Sequence, residues 1–137
     1  MAIILIVDDD ADSREAVARY LVKAGHTIRT ARNGRDALLA ISTTMPDVIV
    51  LDAQMPQMTG VEFLEVVRGY LRWSTLPVVL LTAYPQGPHI ERARELEVKR
   101  VFLKANFEMA DLLRCVERLA ADAAGNCDDG AAGGGAA

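Results

Sequence analysis

Short unbroken apolar runs alternate along this chain with longer stretches in which apolar residues return every three or four positions. The runs are Ile3–Val7, Val48–Leu51, Val78–Leu81 and Val101–Leu103, with a more polar one at Thr27–Ala31. Runs this short, rich in β-branched residues and closed by turn residues, predict strands buried on both faces of a parallel sheet; the polar run fits a sheet edge. Between them the spacing predicts helices. The first, from about Ala11 to Ala24, carries Ala16, Val17, Tyr20 and Leu21 on one stripe and stops at Gly25. Asn33 caps a second with Ala37, Leu38 and Ile41, and Thr59-Gly60-Val61-Glu62 is a capping box opening a third with Phe63, Leu64, Val67 and Leu71. A fourth, from Pro88 to Leu96, has the thinnest apolar face (Ile90, Ala93, Leu96) and is expected to be mobile. The fifth runs from Asn106 to about Ala124 with Met109, Leu112, Leu113, Val116, Leu119 and Ala120.

Five strands alternating with five helices predict an α/β fold, a doubly wound three-layer domain with parallel strands. The chain has 137 residues, 51% of them hydrophobic and 25% charged, which suits one globular domain with a sizeable core. That domain is expected over 1–122, followed at 123–137 by a disordered Gly/Ala-rich tail. The formal net charge is −4 with scattered basic residues, which argues against direct nucleic-acid binding. Only Cys115 and Cys127 are present, without metal-ligand spacing, and no run is long enough for a membrane span or a signal sequence; a cytoplasmic protein is expected. His26 reads as a solvated or hydrogen-bonded turn residue, His89 as an exposed residue at the start of the fourth helix, and Trp73 as packing at a helix end.

The ends of the strands carry the chemistry. In open α/β sheets ligands gather outside the carboxyl ends of the strands, and those ends here bear Asp8 and Asp9, then Asp52, then Thr82, then Lys104. A third acid, Asp10, or else Asp12, caps the helix that follows. Carboxylates about 5 Å apart repel by roughly 3 kcal/mol per pair at an effective dielectric of about 20, so the cluster calls for a cation. All-oxygen ligation with room for water suits Mg²⁺ better than Zn²⁺ or Ca²⁺, leaving coordination positions for phosphate oxygens. A hydroxyl and an ammonium opposite complete a clamp for a phosphoryl group attacked by a carboxylate. Twelve of the fifteen basic residues are Arg, so Lys at 104 hints that a compact ammonium is wanted there.

With these residues in order, namely the acidic pair after strand one, the LDxxMPxMxGxEFL segment around Asp52, Leu81-Thr82-Ala83 and Lys104, the chain resembles the receiver domains of bacterial two-component response regulators. The resemblance runs from Ile3 to about Ala121 and is of the single-domain, chemotaxis-regulator kind. It implies a flavodoxin-like sheet of order 2-1-3-4-5 and a regulatory phosphoacceptor that supports its own phosphotransfer and dephosphorylation. Asp52 would take a phosphoryl group from a histidine kinase or histidine phosphotransfer protein. Asp9 and Asp52 would ligate Mg²⁺ with the backbone carbonyl of Gln54, Asp8 acting through water, while Lys104 pairs with the phosphoryl oxygens and Thr82 swings toward them. A downstream protein partner is expected on the Pro88–Leu96 helix, strand five and helix five. Two positions depart from the family pattern. Val101 stands where an aromatic switch residue is usual, with Phe102 facing the other side by strand alternation, and Ala105 replaces the usual proline after the lysine, with a trans bond expected before it. Two other classes of function compete with this one: an interaction module working largely without phosphorylation, disfavoured by the intact acid cluster, and a Mg²⁺-dependent phosphohydrolase, disfavoured by the lack of an added general base, a DxDxT motif or a P-loop.

Overall fold

The computed structural model describes residues 1–129. Strands β1 (Ile3–Val7), β2 (Thr27–Ala31), β3 (Val48–Asp52), β4 (Val78–Thr82) and β5 (Arg100–Leu103) form one parallel sheet of order β2-β1-β3-β4-β5. Helices α1 (Ala11–Lys23), α2 (Gly34–Thr43), α3 (Gly60–Gly69), α4 (Pro88–Glu95) and α5 (Met109–Asp129) cover both faces. The residue pattern explains why the three central strands are inside: β3 and β4 are buried at every position and β1 at all but Ile3, as unbroken apolar runs require.

Strand alternation divides the core in two. One half gathers Leu5, Val7, Ile49, Leu51, Val78 and Leu80 under α2, α3 and α4, through Ala37, Ile41, Phe63, Val67, Ile90 and Ala93. The other gathers Ile4, Ile6, Val48, Val50, Val79, Leu81 and Phe102 under α1 and α5, through Val17, Leu21, Leu112 and Val116. Val101 packs on the first half and Phe102 lies in the second, with the Phe107 ring 6.0 Å away, as alternation predicts.

Local signals set most boundaries. Asp10 caps α1 by accepting from the Asp12 N–H, Asn33 caps α2 through Asp36, and Thr59 and Glu62 form both halves of the capping box on α3. Gly25 takes the left-handed turn after α1 at φ 98°. His26 is indeed a hydrogen-bonded turn residue: Nδ1 accepts the Ala2 N–H at 3.1 Å, so Nε2 donates to Glu117 at 2.8 Å.

Several expectations need correction. α3 stops at Gly69, so Leu71 leaves its apolar face and is 91% exposed on a single 3-10 turn, Leu71–Trp73, from which Trp73 takes the interior place instead. The stripe of α1 is narrower than predicted, with Val17 and Leu21 buried and Ala16 exposed. α5 begins at Met109 rather than Asn106, because the Asn106 N–H bonds to Leu103 O in a turn and the first helical carbonyl is that of Glu108. Its described backbone runs on to Asp129, within the expected 123–137 tail, and 130–137 lies outside the described residues. No described helix is long and apolar enough to cross a membrane. All described peptide bonds are trans, Lys104–Ala105 included.

Candidate functional site

The sheet register brings the strand ends level. Val7 pairs with Leu51, Asp52 with Leu81, and Thr82 with Leu103, so the residues at and just beyond these ends converge on one edge of the sheet. Backbone bonds extend the ladder past the strands, from Asp8 N–H to Ala31 O, Ala53 N–H to Leu81 O and Lys104 N–H to Thr82 O. These bonds fix the direction in which each side chain leaves the sheet.

Asp8, Asp9 and Asp52 each offer a carboxylate oxygen, and the three oxygens lie within 4.8 Å of one another. Asp8 and Asp52 are buried and Asp9 is exposed. Lys104 Nζ bridges the two buried acids, 3.2 Å from Asp8 Oδ1 and 3.0 Å from Asp52 Oδ2. Asp8 Oδ1 also accepts the Asp10 N–H, but its Oδ2 is buried without a hydrogen-bond partner. A buried carboxylate oxygen without a donor is costly, and a cation among these carboxylates would satisfy it. The donor set, all oxygen and open to solvent on the Asp9 side, fits a hard divalent ion. Asp10, third in the acidic run, stays outside the cluster as the cap of α1.

Two buried carboxylates share one ammonium, and the protonation of Asp52 reflects the shortfall. Burial raises the Asp52 carboxyl to about 6; the hydrogen bond from Lys104 opposes this, while the charge of Asp8 adds to it. For Lys104 burial alone would lower the pKa, but the bond to Asp52 and the charges of Asp8 and Asp52 outweigh it, so the ammonium is held above its usual range.

Thr82, fully buried, accepts the Tyr84 N–H and donates to Tyr84 O, both at 3.0 Å, with Gln54 Oε1 at 3.4 Å. By alternation Thr82 follows Val78 and Leu80 toward the α2–α4 side, whereas Asp8, Asp52 and Lys104 continue the rows facing α1 and α5. Gln54, on the loop after β3, donates its N–H to Asp52 Oδ1 at 3.2 Å. Gly60 holds this loop close: a Cβ there would lie 2.7 Å from Asp52 O and 2.9 Å from Ala53 Cα.

All the sequence-predicted site residues therefore meet at one edge, with Gln54 and Thr82 flanking the four charged side chains Asp8, Asp9, Asp52 and Lys104. His89, expected to be exposed, is half-buried, and its Nε2 lies 2.9 Å from Tyr84 O. Its partner is a backbone carbonyl five residues back across a Gly-Pro turn, a contact that no residue pattern announces. Arg68 is likewise invisible to the pattern. It donates to the carbonyls of Leu96 and Leu76, each at 2.8 Å, tying the end of α3 to the segments after the 3-10 turn and after α4.

Comparison with known proteins gives consistent matches. Residues 4–117 match the family model of the response regulator receiver domain. Over 118 residues the chain is 32% identical to a 14.6 kDa protein of the sodA1 3′ region in Leptolyngbya boryana, covering 84% of this chain and 87% of that one. Over 80 residues it is 40% identical to response regulator MprA of Mycolicibacterium vanbaalenii, covering 58% of this chain but only 34% of MprA. Among solved structures, Vibrio cholerae chemotaxis protein CheY4 superposes with a TM-score of 0.80 at 32% identity, covering 87% of this chain and 98% of that one. The receiver domain of a signal transduction histidine kinase from Syntrophus aciditrophicus gives 0.81 at 30% identity, covering 89% and 92%.

Proposed function

Since the chain belongs to the response regulator receiver family, we propose that Asp52 is its phosphoacceptor, taking a phosphoryl group from the phosphohistidine of a histidine kinase or phosphotransfer protein. The observation that carries this reading is the buried pair Asp8 and Asp52 bridged by the half-buried Lys104, with the unpartnered Asp8 Oδ2 beside it.

An Asp52 carboxylate oxygen attacks phosphorus, the P–N bond of the donor breaks, and the imidazole leaves with the electron pair. Lys104, already 3.0 Å from Asp52, follows the charge onto the transferred phosphoryl oxygens. The hydroxyl of Thr82 turns from Tyr84 O to a phosphoryl oxygen. Asp8, Asp9, Asp52 and the Gln54 carbonyl would hold Mg²⁺, which supplies neutralisation of the phosphoryl charge when bound. The residues support a regulatory role, with hydrolysis of the acyl phosphate serving as the off step. In this reading the protein works in the cytoplasm, and its downstream protein partner docks on α4, β5 and α5, where Leu103 is exposed and Tyr84 is exposed on the loop leading into α4.

Incubation with a small phosphodonor and Mg²⁺, followed by a phosphate-affinity gel under mild conditions, tests the assignment, because acyl phosphates do not survive acid. Wild type is expected to shift and Asp52→Asn to stay in place with its fold intact. Equal labelling of the variant would move the phosphoacceptor elsewhere.

A further inference from the structure

At the mouth of β4 a single carbonyl has two hydrogen-bond donors. Tyr84 O lies 3.0 Å from Thr82 Oγ1 and 2.9 Å from His89 Nε2. A carbonyl only accepts, so the His89 ring carries its proton on Nε2. His89 is the second residue of α4 and follows Gly87, whose φ is 117°; no side-chain hydrogen bond caps the helix there. The His89 ring lies over Gly87, with Nδ1 3.4 Å from where a Cβ on Gly87 would sit. Among the described residues the Tyr84–His89 bond is the one side-chain hydrogen bond between the 83–87 loop and α4. The start of α4 is thus tied to the same atom that holds the Thr82 hydroxyl.

We propose that His89 is the positioning residue that carries the state of the Thr82 hydroxyl into α4, through the Tyr84 carbonyl they share. The proposal rests on Asp52 being the phosphoacceptor. A hydroxyl has one proton to donate, and a phosphoryl oxygen is a stronger, charged acceptor than a backbone carbonyl. When Thr82 turns to it, Tyr84 O keeps only His89. The carbonyl, first held both to the end of β4 and to the first turn of α4, is then held to α4 alone, and loop and helix move as one piece. β5 offers no ring at position 101 to do this: Val101 is an aliphatic side chain packed on the core beneath α4.

Hydrogen exchange on the full chain, with and without Mg²⁺ and beryllofluoride, reads the coupling, while ¹⁹F NMR reports bound beryllofluoride separately. In wild type, exchange is expected to change both in the 83–87 loop and across Ile90–Leu96. In His89→Phe the fluoride signal and the loop response persist, and the α4 response falls by about fivefold, the scale of one lost hydrogen bond. His89→Gln, which keeps a donor, restores part of it, a recovery that a purely packing role for the ring would not produce. An unchanged α4 response in His89→Phe with beryllofluoride bound would overturn the proposal. Absence of the fluoride signal in wild type would instead remove the Asp52 reading, and this inference with it. A further readout needs no substitution: the ring ¹⁵N signals must keep the proton on Nε2 protected when beryllofluoride binds, and its loss would also overturn the coupling.

Discussion

Asp52 is asked to be both buried and anionic, and the protein only half resolves that conflict. Its carboxyl titrates near 6 rather than at the ordinary 3.8, so the folded protein holds this proton more tightly than the unfolded chain does. The stability that goes with the proton is complete below about pH 4 and is lost as pH rises through about 6. In chelator, therefore, Asp52→Asn is expected to overtake wild type in stability between those values, by on the order of 2 kcal/mol at neutral pH. Denaturant midpoints measured from pH 4 to 7.5 check this; parallel curves for the two proteins would contradict it. The cause is partly legible in the residue order. Asp8, Asp52 and Lys104 each follow an apolar strand, and strands of a parallel sheet end together. What no pattern could give is that Lys104 bridges both acids while one oxygen of Asp8 has no donor, since that depends on side-chain reach across neighbouring strands.

Elements were legible where one residue type has one reason to be present. Thr59 and Glu62 could be little other than a capping box, and β3 and β4 little other than buried strands. They were less legible where helical spacing continues past the end of a helix: Leu71 stands four residues after Val67, yet the chain turns at Gly69 and exposes it. The expected looseness of α4 also meets a counterweight. Arg92 Nε pairs with Glu65 of α3 at 3.0 Å, and Arg68 bonds the carbonyls of Leu96 and Leu76. The Arg68 partners are backbone atoms, one of them 28 residues away, so composition carries no trace of them. Arg68→Met is expected to lower stability by about 2–3 kcal/mol by leaving those carbonyls without a donor. Arg68→Lys is expected to recover little, because one ammonium cannot span the fork that a guanidinium does. Thermal unfolding of the two variants is the measurement, and a Lys variant equal to wild type would show that charge, not geometry, is what the position needs.

At the scale of the whole molecule, the sheet order brings to one edge a cluster that is short of positive charge, so the free energy of the fold is expected to be linked to divalent cations. Mg²⁺ at about a hundredfold over its Kd is expected to stabilise the protein by about 2.7 kcal/mol, and by less below about pH 6, where protons compete for Asp52. Calorimetric scans with Mg²⁺ and with chelator at pH 5 and pH 8 separate the two; an equal gain at both would place the ion away from Asp52.

The partition of the site across the sheet, with Asp8, Asp52 and Lys104 on the α1–α5 side and Thr82 on the α2–α4 side, has a genetic consequence. On the proposed function, lesions in the first layer are expected to abolish phosphoryl uptake. Thr82→Ala keeps every carboxylate and the ammonium, and is expected to bind metal with unchanged affinity while failing to signal. Alleles of this gene are therefore expected to fall into two complementation-like classes, blind and mute. Suppressors of the mute class should cluster in the α2–α4 layer, since only residues there can replace what the hydroxyl reports.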